Sequence, residues 1–135
     1  MASIFDDEYL REIADIISTE ARAKYNAYSS EEDRDIYKGL TMWSPNINIF
    51  RDPRWGRGHE TYGEDPYLTT KLGVAFVRGL QGDGKHLKTA ACAKHYAVHS
   101  GPEGLRHEFD AIASKKDMFE TYLPAFEALV READV

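Results

Sequence analysis

Two runs of strand-forming residues, 40–50 and 87–98, alternate with three stretches of helical periodicity, and this alternation constrains the fold more than any other feature of the chain. Leu10, Ile13, Ala14, Ile17 and Ala21 recur at helical spacing, which predicts a helix with one buried face. Asp6 or Asp7 caps it, it runs to about Tyr28, and 29–35 is a polar break. In the first strand run Ile47 and Ile49 alternate with Asn46 and Asn48. Pro45 cannot donate to a ladder, so the regular strand is expected to stop near it. Asp65 and Pro66 open a second helix as N-cap and first-turn proline. Its apolar face is Leu68, Leu72, Ala75, Phe76 and Leu80, and Gly82 and Gly84 end it. In the second run Thr89, Ala91 and Ala93 share one side of the pleat, and Ala90, Cys92 and Lys94 the other. Ser114 and Asp117 form a capping-box pattern for a last helix, lined by Phe119, Leu123, Phe126 and Val130 and loosened at Pro124. The order helix, strand, loop, helix, strand, loop, helix implies a parallel sheet covered by helices, an α/β chain.

Function in such sheets collects on loops beyond the carboxyl ends of strands. Loops 51–65 and 99–110 both follow a strand and precede a helix, so they are expected on one face. The first carries Arg51, Arg54, Arg57, Asp52, Glu60, Glu64, Asp65, Trp55, His59 and Tyr62. Arginine forks and carboxylates bind hydroxyls through paired hydrogen bonds, and tryptophan offers a flat apolar face. That makeup suits the wall of a pocket for a polar, ring-shaped ligand such as a sugar. Arg57 and Glu60 are the leading candidates; Arg51, Asp52 and Arg54 are expected to brace the loop. An internal salt-bridge network that only shapes the loop fits the same residues. Lys94 and His95 stand at the predicted end of the second strand, where a twist can bring both to the mouth. The alternative is a histidine bonded in the core beside a lysine that snorkels outward.

His95 and His99 are four apart, but the turn at Gly101 and Pro102 argues against the helix that zinc ligation at this spacing needs. Neither a metal nor a cofactor is expected. A net charge of −6 with both signs interspersed argues against nucleic acid and against an anionic membrane surface. No apolar run is long enough to cross a bilayer, and no signal peptide is visible. The compartment stays open. Cys92, the single cysteine, excludes an internal disulfide; flanked by alanines, it is expected to be a small buried hydrophobe.

A chain of 135 residues suffices for one domain, so 1–135 is read as a single unit. Two strands and three helices nevertheless make a poor closed α/β core. The first helix has almost no lead-in after Met1, and 131–135 reads as a helix end followed by the first residue of a new strand. These features lead to the expectation that the chain is a piece of a larger domain.

Several long motifs carry a resemblance: Trp-Ser-Pro-Asn-Ile-Asn-Ile-Phe-Arg-Asp-Pro-Arg-Trp-Gly-Arg-Gly from 43, Glu-Thr-Tyr-Gly-Glu-Asp-Pro from 60, Ala-Lys-His-Tyr-Ala from 93, Arg-His-Glu-Phe-Asp-Ala from 106 and Glu-Thr-Tyr-Leu-Pro-Ala-Phe from 120. Together they resemble the N-terminal barrel of glycoside hydrolase family 3, in its β-glucosidase and β-xylosidase branch, over essentially the whole chain. The resemblance implies a partial (β/α)8 TIM-type barrel of about three βα units whose loops bind the sugar at the cleavage subsite. It implies that Arg57, Lys94 and His95 hold sugar hydroxyls and that Glu60 supports them, with Arg106 a further sugar-contacting arginine. The family's hexosaminidase branch carries Lys-His-Phe-Pro-Gly-His-Gly, where this chain has Lys-His-Tyr-Ala-Val-His-Ser. The family's nucleophilic aspartate follows a strand later in the barrel and its acid/base comes from a second domain; neither segment is found here.

The expectation is therefore a fragment of a retaining β-glycosidase that carries part of the subsite for a β-glucoside or β-xyloside oligosaccharide and is inactive alone. The alternative is a non-catalytic partial barrel that self-associates, with at most weak sugar binding. A homo-oligomer is expected, because open sheet edges and uncovered apolar faces favour pairing.

Overall fold

A computed structural model describes residues 1–135 as a mixed α/β chain of four helices and two short parallel strands. Helix α1, Asp7–Ser30, begins where Asp6 accepts a hydrogen bond from the Tyr9 N–H at 2.9 Å. Leu10, Ala14 and Ser18 form its buried stripe. Helix α2, Pro66–Gln81, starts at Asp65, whose carboxylate accepts from the Leu68 N–H at 2.6 Å, and stops at Gly82 with φ of 72°. Strands β1, Thr41–Met42, and β2, Ala90–Ala91, pair in parallel with Thr41 opposite Ala90 and Met42 opposite Ala91. Short 3-10 turns lie at Ala2–Ile4, Gly58–Glu60 and Glu103–Leu105.

Helix α2 is the centre of the chain. It packs against α1 on one side and, on the other, against helix α4, Pro124–Ala133, so it is buried on more than the single face its periodicity suggests. The core joins Leu10 and Ala14 of α1, Leu72, Phe76, Val77 and Leu80 of α2, and Phe126 and Leu129 of α4. Each large apolar side chain buried this way stabilises by roughly 1.5–3 kcal/mol. Helix packing, rather than a two-residue ladder, therefore holds the chain together. Gly79 lets α1 and α2 approach closely: a Cβ there would lie 2.3 Å from the Arg11 carbonyl oxygen.

The strands are much shorter than 40–50 and 87–98. Regular pairing ends at Met42, before Pro45, as the missing N–H requires. An irregular continuation follows: the Cys92 N–H donates to Ser44 O at 3.0 Å, Lys94 N–H to Pro45 O at 3.0 Å, and Ile47 N–H to Lys94 O at 2.9 Å. Each strand has one neighbour only, so the remaining extended residues have no ladder to join. Thr89, Ala91 and Ala93 do face the core, but the opposite side of the pleat has no cover, and Cys92 is exposed rather than buried.

The last helix also differs. Ser114 caps α3, Lys115–Asp117, through a 3.1 Å bond from the Asp117 N–H. A π-helical turn, Met118–Tyr122, then separates it from α4, which Pro124 opens. The break resets the helical phase. Phe119 and Val130 are exposed; Phe126 is buried as expected, and Ala125, Leu129 and Ala133 complete the buried face.

Candidate functional site

The irregular ladder after β1 and β2 brings the segments 44–48 and 92–97 side by side, with Asn46 bridged to Lys94. Loop 51–65 folds back over this edge. Its own acidic and basic residues shape it: Arg54 forks onto Asp52 at 2.9 and 2.7 Å, and this pairing lowers the Asp52 pKa to about 2. Arg51 lies over the rings of Phe109 and Tyr122. Gly56 N–H donates to Glu103, which ties loop 51–65 to loop 99–110. These are the bracing roles expected of Arg51, Asp52 and Arg54. Trp55 is spent mainly on packing, and what remains of it borders only a small cavity of about 70 Å³. It is buried, stacked on Phe50 just before the loop and edge-on to His99 of the neighbouring loop.

Arg57, Glu60, Lys94 and His95 come together. Arg57 Nε and Nη2 donate to the two Glu60 oxygens at 2.7 and 2.6 Å, and Arg57 Nη1 donates to His95 Nε2 at 3.1 Å. Glycine at 58 permits the turn between them: a Cβ there would lie 2.2 Å from the Phe50 ring. The guanidinium lowers the Glu60 pKa to about 2, with Asn46 and Lys94 adding to the effect. Burial first, then the charges of His99, Arg57 and Lys94, lower His95 to about 4. Glu60 is thus anionic and His95 neutral throughout the neutral pH range.

The free valences define what the cluster can hold. Arg57 has five N–H groups, of which three are spent, leaving two. Lys94 is half-buried and near enough to Glu60 and His95 to act on both, yet its ammonium has no ion-pair or hydrogen-bond partner. Five positive donors therefore surround a bidentate carboxylate with lone pairs to spare. Such a set matches adjacent hydroxyls, each of which both donates and accepts.

Arg106 stands apart. It meets Glu103 at 3.4 Å, across His99 from the cluster, on a cavity of about 70 Å³ bordered by Trp55, His99 and Pro102. Two residues that the loop motifs did not single out sit at the base of the cluster. Asn46 and Asn48 are 5% and 1% exposed. Their signal in the sequence was two asparagines, poor strand formers, within an alternating strand run. Asn46 Nδ2 is buried beside Glu60 without a partner in hydrogen-bond geometry, although its proximity favours the charged carboxylate. His95 and His99 stack with ring centroids 4.5 Å apart.

Fold and site define an α/β chain that presents an arginine, carboxylate and histidine network with an unpaired lysine beyond the carboxyl ends of two parallel strands. The chain belongs to glycosyl hydrolase family 3: the family's N-terminal domain profile matches residues 4–135. It is 54% identical over 140 residues to a xylan 1,4-beta-xylosidase of Xylanibacter ruminicola, covering 100% of this chain and 16% of that protein. It is 45% identical over 141 residues to beta-D-xylosidase 3 of Arabidopsis thaliana, covering 99% of this chain and 17% of that one. Among solved structures, a GH3 exo-beta-xylosidase in complex with a xylobiose aziridine activity-based probe superimposes with a TM-score of 0.83 at 36% identity, over 99% of this chain and 17% of that chain. A mutant beta-glucosidase from Listeria innocua in complex with laminaribiose gives 0.74 at 34% identity, over 95% and 17%. The chain thus spans about a sixth of the length of these relatives. No helix is long and apolar enough to cross a membrane.

Proposed function

We propose that residues 1–135 form part of a single (β/α)8-type barrel domain, about three βα units, and supply half of the sugar subsite of a retaining β-glycosidase. The observation that carries this reading is the pairing of a forked, two-donor-free Arg57 with a partnerless Lys94 over Glu60 and His95. The roles are binding and orientation. Arg57 and Lys94 donate to neighbouring hydroxyls of a terminal sugar. Glu60 fixes Arg57 and accepts from a hydroxyl, and His95 completes the wall. Arg106 borders a space with room for about two waters, so it reaches a sugar only at the margin of this subsite. Three of the four similar proteins named above are described as xylosidases and one, at lower identity, as a beta-glucosidase, which favours a β-xyloside over a β-glucoside.

Retention needs a nucleophilic carboxylate and an acid/base about 5 Å apart. Glu60 is held fully ionised, so it does not suit proton donation, and both its oxygens accept from Arg57, which weakens them as nucleophiles. The chain by itself binds sugar and does not hydrolyse it. Calorimetry with methyl β-xyloside, repeated on Arg57→Ala and Lys94→Ala, tests the reading. Binding that is lost in both variants is expected; binding unchanged in both refutes it. Turnover of nitrophenyl β-xyloside by the pure chain, abolished by a substitution within it, refutes the claim of inactivity.

A second reading, self-association, rests on a different surface. Ile36, Tyr37 and Trp43 are 69%, 85% and 68% exposed, and they border an open groove of about 680 Å³ between α1 and β1. Apolar surface of that kind favours a second copy. A monomeric mass by light scattering at micromolar concentration refutes it.

A further inference from the structure

The side chain of Asn48 uses every hydrogen-bonding position it has. Nδ2 donates to His95 O at 2.8 Å and to Ala97 O at 2.9 Å. Oδ1 accepts from the His95 N–H at 2.9 Å and lies 3.2 Å from His95 Nδ1. The amide orientation is over-determined. Turned round, its oxygen would face two carbonyl oxygens and its nitrogen would face a backbone N–H, at a residue that is only 1% exposed. Because Oδ1 is fixed, Nδ1 of His95 must carry a proton to meet it. Arg57 Nη1 approaches the other ring nitrogen at 3.1 Å and has only hydrogens to offer, so Nε2 must be bare. Two contacts from two different segments give the same tautomer.

We propose that Asn48 is a positioning residue: it holds His95 as the Nδ1–H tautomer with Nε2 presented as an acceptor, and it clamps residues 95–97, which follow directly on Lys94. His95 then acts as an acceptor, either aiming Arg57 or accepting a hydrogen bond from a hydroxyl that replaces it, and never as a donor to the sugar. The charged and titratable groups that face the ring are Arg57 and Glu60 from loop 51–65, and Lys94 and His99 from its own segment. The sugar role rests on the reading above; the tautomer does not.

The test is two-bond proton–nitrogen correlation on the full 135-residue chain with labelled histidine. His59, His86 and His107 are exposed and serve as internal references. The expected result for His95 is the Nδ1–H pattern with a bare Nε2 across neutral pH. Asn48→Ala should give mixed tautomers and a titration midpoint that moves toward the ordinary 6.5. Asn48→Asp keeps the acceptor that faces Nδ1 and adds a charge, so it should retain Nδ1–H and raise the midpoint by about one unit or more, while its second oxygen, set against the carbonyls of His95 and Ala97, lowers stability. An Nε2–H pattern in the unsubstituted chain overturns the proposal, as does a midpoint unchanged in Asn48→Asp. The pattern in the unsubstituted chain decides the matter by itself if neither variant folds. Added methyl β-xyloside reports separately: an unperturbed His95 spectrum counts against the sugar reading and leaves the tautomer assignment standing.

Discussion

Replacing Gly79 with alanine should destabilise the chain even though it improves helix propensity. The added methyl would sit 2.3 Å from the Arg11 carbonyl oxygen and 2.6 Å from the Ala14 Cβ. Ordinary carbon contacts lie at about 3.5–4.0 Å, so α1 and α2 must part by about 1 Å. The obstacle is backbone, which cannot rotate away. Overpacking of this kind costs about 1–3 kcal/mol. The Ser18 hydroxyl shares its one hydrogen between Asp15 O at 2.9 Å and Gly79 O at 3.2 Å, so it would keep its nearer partner and add little to the cost. Against this stands a gain of about 1 kcal/mol in helix propensity. With a backbone clash this close the overpacking cost falls in the upper part of its range, so the net expectation is a loss of about 1–2 kcal/mol, or roughly 0.5–1 M in the urea midpoint. The assay is urea unfolding at pH 7 followed by far-UV circular dichroism. Gly39→Ala is the control: no atom lies within 4 Å of its Cβ position, so its midpoint should hold or rise slightly. A Gly79→Ala chain as stable as the control would refute the close-crossing argument.

Acid should weaken the fold in two stages. His95 has its pKa lowered from 6.5 to about 4, so the folded chain binds fewer protons than the unfolded one; its contribution is intact above 6.5 and lost as the pH falls toward 4. Glu60, lowered from 4.5 to about 2, loses its contribution between those values. Urea midpoints measured from pH 7 to 3 should fall throughout, and a curve flat from 7 to 4.5 contradicts the first stage. Gly58→Ala should displace the Phe50 ring and with it the loop, lowering stability by about 1–3 kcal/mol; unfolding midpoints check this. Lys94→Gln should leave stability within about 0.5 kcal/mol, because the ammonium has no partner to lose, while abolishing sugar binding; a large loss of stability instead would reveal a structural lysine.

Helix starts were the most legible features of the chain. Asp6, Asp65 and Ser114 each cap where their side chains could be predicted to, because capping is decided within one turn. The convergence of Arg57, Glu60, Lys94 and His95 was also foreseeable, since both segments follow strands that run in the same direction. Strand length, the exposure of Cys92 and the buried face of α4 were not. The first two depend on whether a neighbouring strand or helix is present, and the third on a π-helical turn before Pro124 that shifts the phase of everything after it. Arg106 shows the same limit: its neighbourhood is set by how loop 99–110 folds against His99.

The sequence by itself determined the alternation of helices and strands, the caps, the family and the chemical types gathered on the two loops, because local periodicity and unbroken motifs are properties of the chain alone. Only the tertiary structure decided which of those groups are spent and which are free. Trp55 is consumed by packing, Arg57 keeps two donors, Lys94 keeps its ammonium, and Asn48 assigns the proton of His95. Those outcomes rest on contacts between residues some forty positions apart, which no local pattern encodes.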